Sequence, residues 1–109
     1  MPVQSNWDRL PGVVARPGVI RKVFTGKNSM MTLNEIKPGT IPNLHSHPHE
    51  QITYIVSGAG EFVLGDQVLT LKAGDLLLVP PNVPHSLKVI GEETVLNLDV
   101  FSPIRLDYL

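Results

Sequence analysis

Proline and glycine decide what this chain can become. Ten prolines and nine glycines among 109 residues divide it into pieces of roughly four to eight residues, too short for ordinary helices and right for strands. The expected strands are Val19 to Phe24, Met30 to Ile36, Gln51 to Ser57, Gly60 to Leu64, Gln67 to Leu71, Leu76 to Val79, Ser86 to Val89 and Thr94 to Phe101. Gly65-Asp66 fits a two-residue hairpin turn and Lys72-Ala73-Gly74-Asp75 a second tight reversal, and together they set the register of the middle strands. Eight short strands at close spacing predict an all-β domain, an antiparallel sandwich or barrel. A chain of this length forms one domain, residues 1–109, without linker or repeat, loosely ordered only in its first dozen residues and its last few.

The last expected strand alternates in an informative way. Val95, Asn97, Asp99 and Phe101 fall on one face and Leu96, Leu98 and Val100 on the other. A polar and aromatic face suits a wet cavity, whereas an aliphatic face wants a dry partner. The run Leu76-Leu77-Leu78-Val79 also offers apolar side chains to both faces, more than a sandwich of this size hides, so a homodimer burying one outer sheet face is expected. The formal charge of −1 and the pI near 6.4, with Lys and Arg scattered singly, provide no basic patch, and nucleic acid is not an expected partner. No apolar run approaches the roughly 20 residues that span a bilayer, and the first residues lack the pattern of a signal peptide, so no membrane association and a cytoplasmic location are expected. The chain has no cysteine, so any metal must be held by nitrogen and oxygen, which excludes zinc-finger and iron–sulfur readings.

Three of the four histidines lie in HSHPHEQ, residues 45–51. In extended chain His45 and His47 project to the same side and can share an ion. His85, in PPNVPH, offers a third imidazole on a backbone stiffened by three prolines. Gln51 keeps the parity of His45 and His47 and can add an amide oxygen. The result is a set of three nitrogens and one oxygen that leaves coordination positions open. Histidines scattered over surface loops would show no such frame. His49, between Pro48 and Glu50, is expected at the rim. One divalent transition metal ion follows as cofactor, and nickel, zinc, iron, manganese and cobalt all accept these donors.

These positions carry a resemblance to the cupins, a jelly-roll β-barrel family. Gly39, His45, His47, Gln51 and Gly58 match the first cupin motif with glutamine in place of its glutamate. Gly74, Pro80 and His85 match the second, with Asn82 for its glycine and Val89 for its final asparagine. Asn82 tolerates the left-handed backbone the glycine would take. More narrowly, Gly18 to Val23, the Met30-Met31 pair, HSHPHEQ and the ending LDVFSPIRLDYL resemble the KdgF-type cupins, which ketonise 4,5-unsaturated monouronates to linear keto sugars. That resemblance implies a metal on His45, His47, Gln51 and His85, an anionic sugar as small-molecule substrate, and active-site roles for Asp99, Phe101 and Arg105.

Residue chemistry agrees with that implication. Four neutral ligands leave a bound cation its full double charge, which suits Lewis-acid polarisation of an anionic substrate. Asp99, on the cavity face, could give or take a proton, Arg105 could fork onto the uronate carboxylate, and Phe101 could present a flat wall to the ring. Each has a plainer alternative: Asp99 as a structural carboxylate, Arg105 paired with Asp107, Phe101 as core. Tyr54 has the opposite parity to Gln51 and reads as packing. Arg21 alternates with Val19 and Val23, which allows it into the cavity without fixing it there. Two other functions remain open, a cupin dioxygenase on a small enol or catechol and a non-catalytic sugar or small-molecule binding module.

Overall fold

A computed structural model describes residues 3–109. These residues form nine strands and two single-turn 3-10 segments: β1 (Val13–Arg16), β2 (Val19–Thr25), β3 (Met30–Ile36), β4 (Glu50–Ser57), β5 (Ala59–Leu64), β6 (Gln67–Lys72), β7 (Leu76–Val79), β8 (His85–Val89) and β9 (Val95–Ser102), with the short turns at Trp7–Arg9 and Leu106–Tyr108. All eight expected strands are present, their ends displaced by a residue at most. The one missed is β1, a four-residue piece between Gly12 and Pro17 at the sheet edge, whose first three residues are exposed and show no alternation to read.

The strands make two antiparallel sheets, β1-β2-β3-β9-β4-β7 and β6-β5-β8, which together form the expected all-β jelly roll. Both predicted reversals form. Leu64 pairs with Gln67 across Gly65-Asp66, with Gly65 at φ 59°, where a Cβ would be strained. In the second, the Asp75 amide donates to the Lys72 carbonyl and the Asp75 carboxylate accepts from the Lys72 amide, at 2.9 and 2.8 Å. Between the sheets lies a dry core of Val19, Ile36, Ile55, Phe62, Leu71, Val79, Leu87, Val89 and Val95.

Only part of the inner face is apolar. On β9, Val95, Asn97, Asp99 and Phe101 are buried while Leu96, Leu98 and Val100 are half-exposed, the two faces expected from alternation. Register places Arg21, Asn34 and Asn97 in one row across β2, β3 and β9, then Thr32, Asp99 and Thr53 in the next, then Met30, Phe101 and Gln51. The outer face of the same sheet is aliphatic. Leu78 pairs with Ile52, Ile52 with Val100 and Val100 with Met31, while Leu76 pairs with Tyr54 and Tyr54 with Leu98. Leu76, Leu78, Ile52, Tyr54 and Met31 are exposed. Tyr54 thus lies on that outer face, across the sheet from Gln51.

The terminal segments are better fastened than expected. The Lys22 ammonium donates to the Trp7 carbonyl at 2.8 Å, and Asn6 caps the Trp7–Arg9 turn by accepting from the Asp8 amide at 2.9 Å. At the other end two guanidinium groups lie over the Tyr108 ring, that of Arg21 3.6 Å and that of Arg105 4.1 Å from its centroid. The loose order expected of Met1 and Pro2 lies outside the described residues. Among the described residues no helix is long and apolar enough to cross a membrane.

Candidate metal centre and its cavity

Backbone hydrogen bonds bring the two histidine segments together. The His45 amide donates to the His85 carbonyl at 3.1 Å and the His85 amide to the His45 carbonyl at 2.9 Å. The Asn82 amide donates to the His47 carbonyl at 2.7 Å, which docks the proline-stiffened turn onto the same stretch. Asn82 sits at φ 65°, the left-handed conformation the sequence required of it. With the backbones tied, the rings converge. Centroids of His45 and His85 are 4.4 Å apart, those of His47 and His85 4.9 Å and those of His45 and His47 5.9 Å. One ligand atom from each lies within 4.8 Å of the others, so the three could hold a metal ion.

The side-chain hydrogen bonds fix which atoms face inward. Nδ1 of His45 lies 2.7 Å from the Asn43 carbonyl, Nδ1 of His47 3.0 Å from the His49 carbonyl and Nδ1 of His85 2.9 Å from the Val83 carbonyl. A carbonyl oxygen only accepts, so each Nδ1 carries the hydrogen and each Nε2 presents a bare lone pair, the arrangement that supports metal-ligating histidines. Nε2 of His85 is buried without a partner. Nε2 of His47 lies 3.0 Å from Oε1 of Gln51, and the Gln51 amide is oriented by its own nitrogen, which donates to Thr53 Oγ1 at 2.9 Å and to Asp99 Oδ1 at 3.1 Å. With Nδ1 protonated, two lone pairs face each other in a buried place, an arrangement that a cation held between them would relieve. Protons are disfavoured in that role: burial pushes His85 down to about 4 and lowers His47, whose contact with Gln51 only partly opposes the effect. The residues fit a metal ion. His49 contributes its carbonyl to His47 but stands outside the convergent three, its ring 5.4 Å edge-on from that of His47.

Asp99 lies at the centre of the polar rows. Its Oδ1 accepts from Thr53 Oγ1 at 2.8 Å and from Gln51, and its Oδ2 from the side-chain amides of Asn97 at 3.0 Å and Asn34 at 3.2 Å. Burial pushes its carboxyl up to about 6, against the pull of Thr53, Asn97 and Gln51. Oδ1 of Asn34 in turn accepts from Nε of Arg21 at 3.3 Å. One chain of contacts thus runs from His47 through Gln51, Asp99 and Asn34 to Arg21.

These groups line a cavity bounded by Arg16, Arg21, Asn34, His45, Gln51 and His85 among others. Phe101 reaches it but is almost wholly buried, packed edge-on to His47 at 5.6 Å and to Tyr108 at 5.8 Å. Arg105 differs from the expected open fork. Its Nε and Nη2 donate to the two carboxylate oxygens of Asp107 at 3.2 and 2.7 Å, and Nη1 is buried without a partner. A bidentate grip on a ligand through that edge would have to displace Asp107. Arg16, Asn34 and Tyr108 were not singled out from the sequence. Asn34 shares its parity with Thr32 and Ile36 and could have been found that way, but Arg16 sits on the unread β1 and Tyr108 in a terminal turn without periodicity.

Comparison with known proteins gives a consistent result. The model of the cupin domain family matches residues 32–101. The pectin degradation protein KdgF of Dickeya dadantii is 34% identical over 104 residues, 94% of each chain. Among solved structures, KdgF from Halomonas sp. superposes with a TM-score of 0.85 at 29% identity, covering 94% of this chain and 95% of that one. An RmlC-like cupin from Shewanella frigidimarina does so with 0.88 at 26% identity, covering 96% and 94%.

Proposed function

We propose, from the premise that the chain belongs to the cupin domain family, that it is a metal-dependent enzyme converting 4,5-unsaturated monouronates to linear keto sugars. In this reading His45, His47, Gln51 and His85 hold one divalent transition metal ion. The observation that carries the proposal is the contact of a neutral ligand, Gln51, with the buried carboxyl of Asp99 inside a cavity that arginines line. Likeness to a protein whose name assigns it to pectin degradation supplies the substrate class.

Bound among neutral donors, the ion supplies a full double charge that draws and polarises an anionic substrate. The protein supplies the proton. Asp99, held up to about 6 by burial, gives it to the carbon end of the enol-like double bond while water adds at the neighbouring carbon, and the ring carbon–oxygen bond then breaks to leave the ketone. Four donors receive the carboxylate left behind, and the Thr53 hydroxyl can rotate from donor to acceptor when the proton returns. Phe101 packs against His47 and forms an apolar wall. Arg105, stacked 4.1 Å from the Tyr108 ring centroid and paired with Asp107, adds positive charge beside the histidines.

Two measurements bear on this. Metal-loaded protein should hasten the loss of ultraviolet absorbance of a 4,5-unsaturated uronate, and a rate no faster than the spontaneous one sinks the proposal. The exposed outer face of Leu76, Leu78, Ile52 and Tyr54 supports a homodimer. Sedimentation equilibrium should return twice the 12.0 kDa of one chain, and a single-chain mass would refute that part alone.

A further inference from the structure

We infer that Arg16 and Arg21 form the carboxylate-binding end of the cavity, so that the ligand's acid group is held by this pair and not by Arg105. The inference rests on the reading of the cavity as a sugar-acid site and adds the residues that would select the acid. Both arginines line the same cavity as His45, Gln51, His85 and Asp99.

Each guanidinium is fixed at one point and keeps donors to spare. Arg21 donates through Nε to Asn34, and its plane lies over Tyr108 with the guanidinium carbon 3.6 Å from the ring centroid. Its terminal nitrogens make no hydrogen bond among the described residues. Arg16 donates through Nη1 to the Ile41 carbonyl, which leaves Nε and Nη2 available. Pairing at the edge of the sheet places them diagonally across β1 and β2, since Arg16 is opposite Val19 and Arg21, two residues beyond Val19, is opposite Val13.

Charge accounting separates this pair from Arg105. Among the described residues one ion pair forms, Arg105 with Asp107. Arg16 and Arg21 therefore share a partly buried wall with no carboxylate in ion-pair contact. Two neighbouring guanidinium groups repel, and in such a place they call for a bound anion. The one described carboxylate that lines this cavity, Asp99, spends its oxygens on Thr53, Gln51, Asn97 and Asn34. An exogenous carboxylate is the matching group, because its two oxygens accept from forked donors. Held at the arginine end, a sugar acid would lie over Asn34 and Asn97, with the rest of its ring directed past Asp99 in the next row to the histidines.

The test compares two sugars that differ only in the acid, D-galacturonate and D-galactose, titrated calorimetrically into metal-loaded protein. Wild type should prefer galacturonate, and Arg16→Gln and Arg21→Gln should each weaken it by roughly ten-fold or more, the size of a lost charge-assisted hydrogen bond. Metal content should stay at the wild-type value. Arg16 lies on an exposed edge strand, so its variant keeps the test sound if Arg21→Gln misfolds, and Arg16→Lys should recover part of the loss. Galacturonate binding unchanged in Arg16→Gln overturns the inference, as does a loss confined to Arg105→Gln. No turnover enters these measurements. Arginine-dependent binding without activity would thus sink the enzymatic reading and leave this one standing.

Discussion

His85→Ala should leave the protein without bound metal after dialysis and without measurable turnover. His85 is the most committed of the three imidazoles: its backbone pairs with His45, its Nδ1 is occupied by the Val83 carbonyl, and its buried Nε2 has no partner. It is one of the proposed ligands, and its loss should cost well beyond the roughly 10- to 100-fold that follows loss of a hydrogen bond supporting a ligand. Thermal unfolding gives a second readout. An ion present at about a thousand times its Kd stabilises the folded state by about 4 kcal/mol, so the wild-type melting temperature should rise by roughly ten degrees or more on metal addition. The His85→Ala melting temperature should not respond. Atomic emission showing one ion per chain in His85→Ala would remove the histidine set as the metal centre.

The sequence made the histidine centre legible because its determinants are local. The His-x-His spacing selects His45 and His47, Gln51 follows at the start of β4 after a bend at Pro48 and His49, and three prolines around Asn82 hold His85 in a turn whose left-handed residue could be named in advance. Strands were legible for the same reason, with turn residues at their ends and alternation between. What alternation cannot carry is which side chains meet across strands. It put Asp99 on the inner face but could not reveal four donors on its carboxylate, since Asn34 lies 65 residues away and Thr53 46 away. It offered Arg105 both a substrate and Asp107, and geometry shows the fork engaged by Asp107. Arg16 escaped notice because β1 is a short exposed edge strand whose only structural signal is pairing with β2.

Asp99→Asn should lower kcat by about 10² to 10⁴, the usual worth of a positioned acid or base, even at saturating metal. The substitution keeps shape but not hydrogen-bond sense. An amide nitrogen must now face either the Gln51 and Thr53 donors or the Asn34 and Asn97 donors, and only Thr53 reverses by simple rotation. If Gln51 turns to accommodate it, its nitrogen replaces Oε1 opposite His47 and metal affinity falls by roughly 10- to 100-fold. Saturating metal separates that effect from chemistry: a residue that merely positions Gln51 would regain its rate, whereas a lost proton donor would not. Retention of more than about a tenth of the wild-type kcat under those conditions would assign Asp99 to positioning alone. The pH profile provides the independent sign. A donor must carry its proton, so wild-type turnover should fall as pH rises through the Asp99 titration, about 6 where burial outweighs its hydrogen bonds, and lower once a cation is held at Gln51. In Asp99→Asn that limb should vanish, because its amide has no proton to lose in that range.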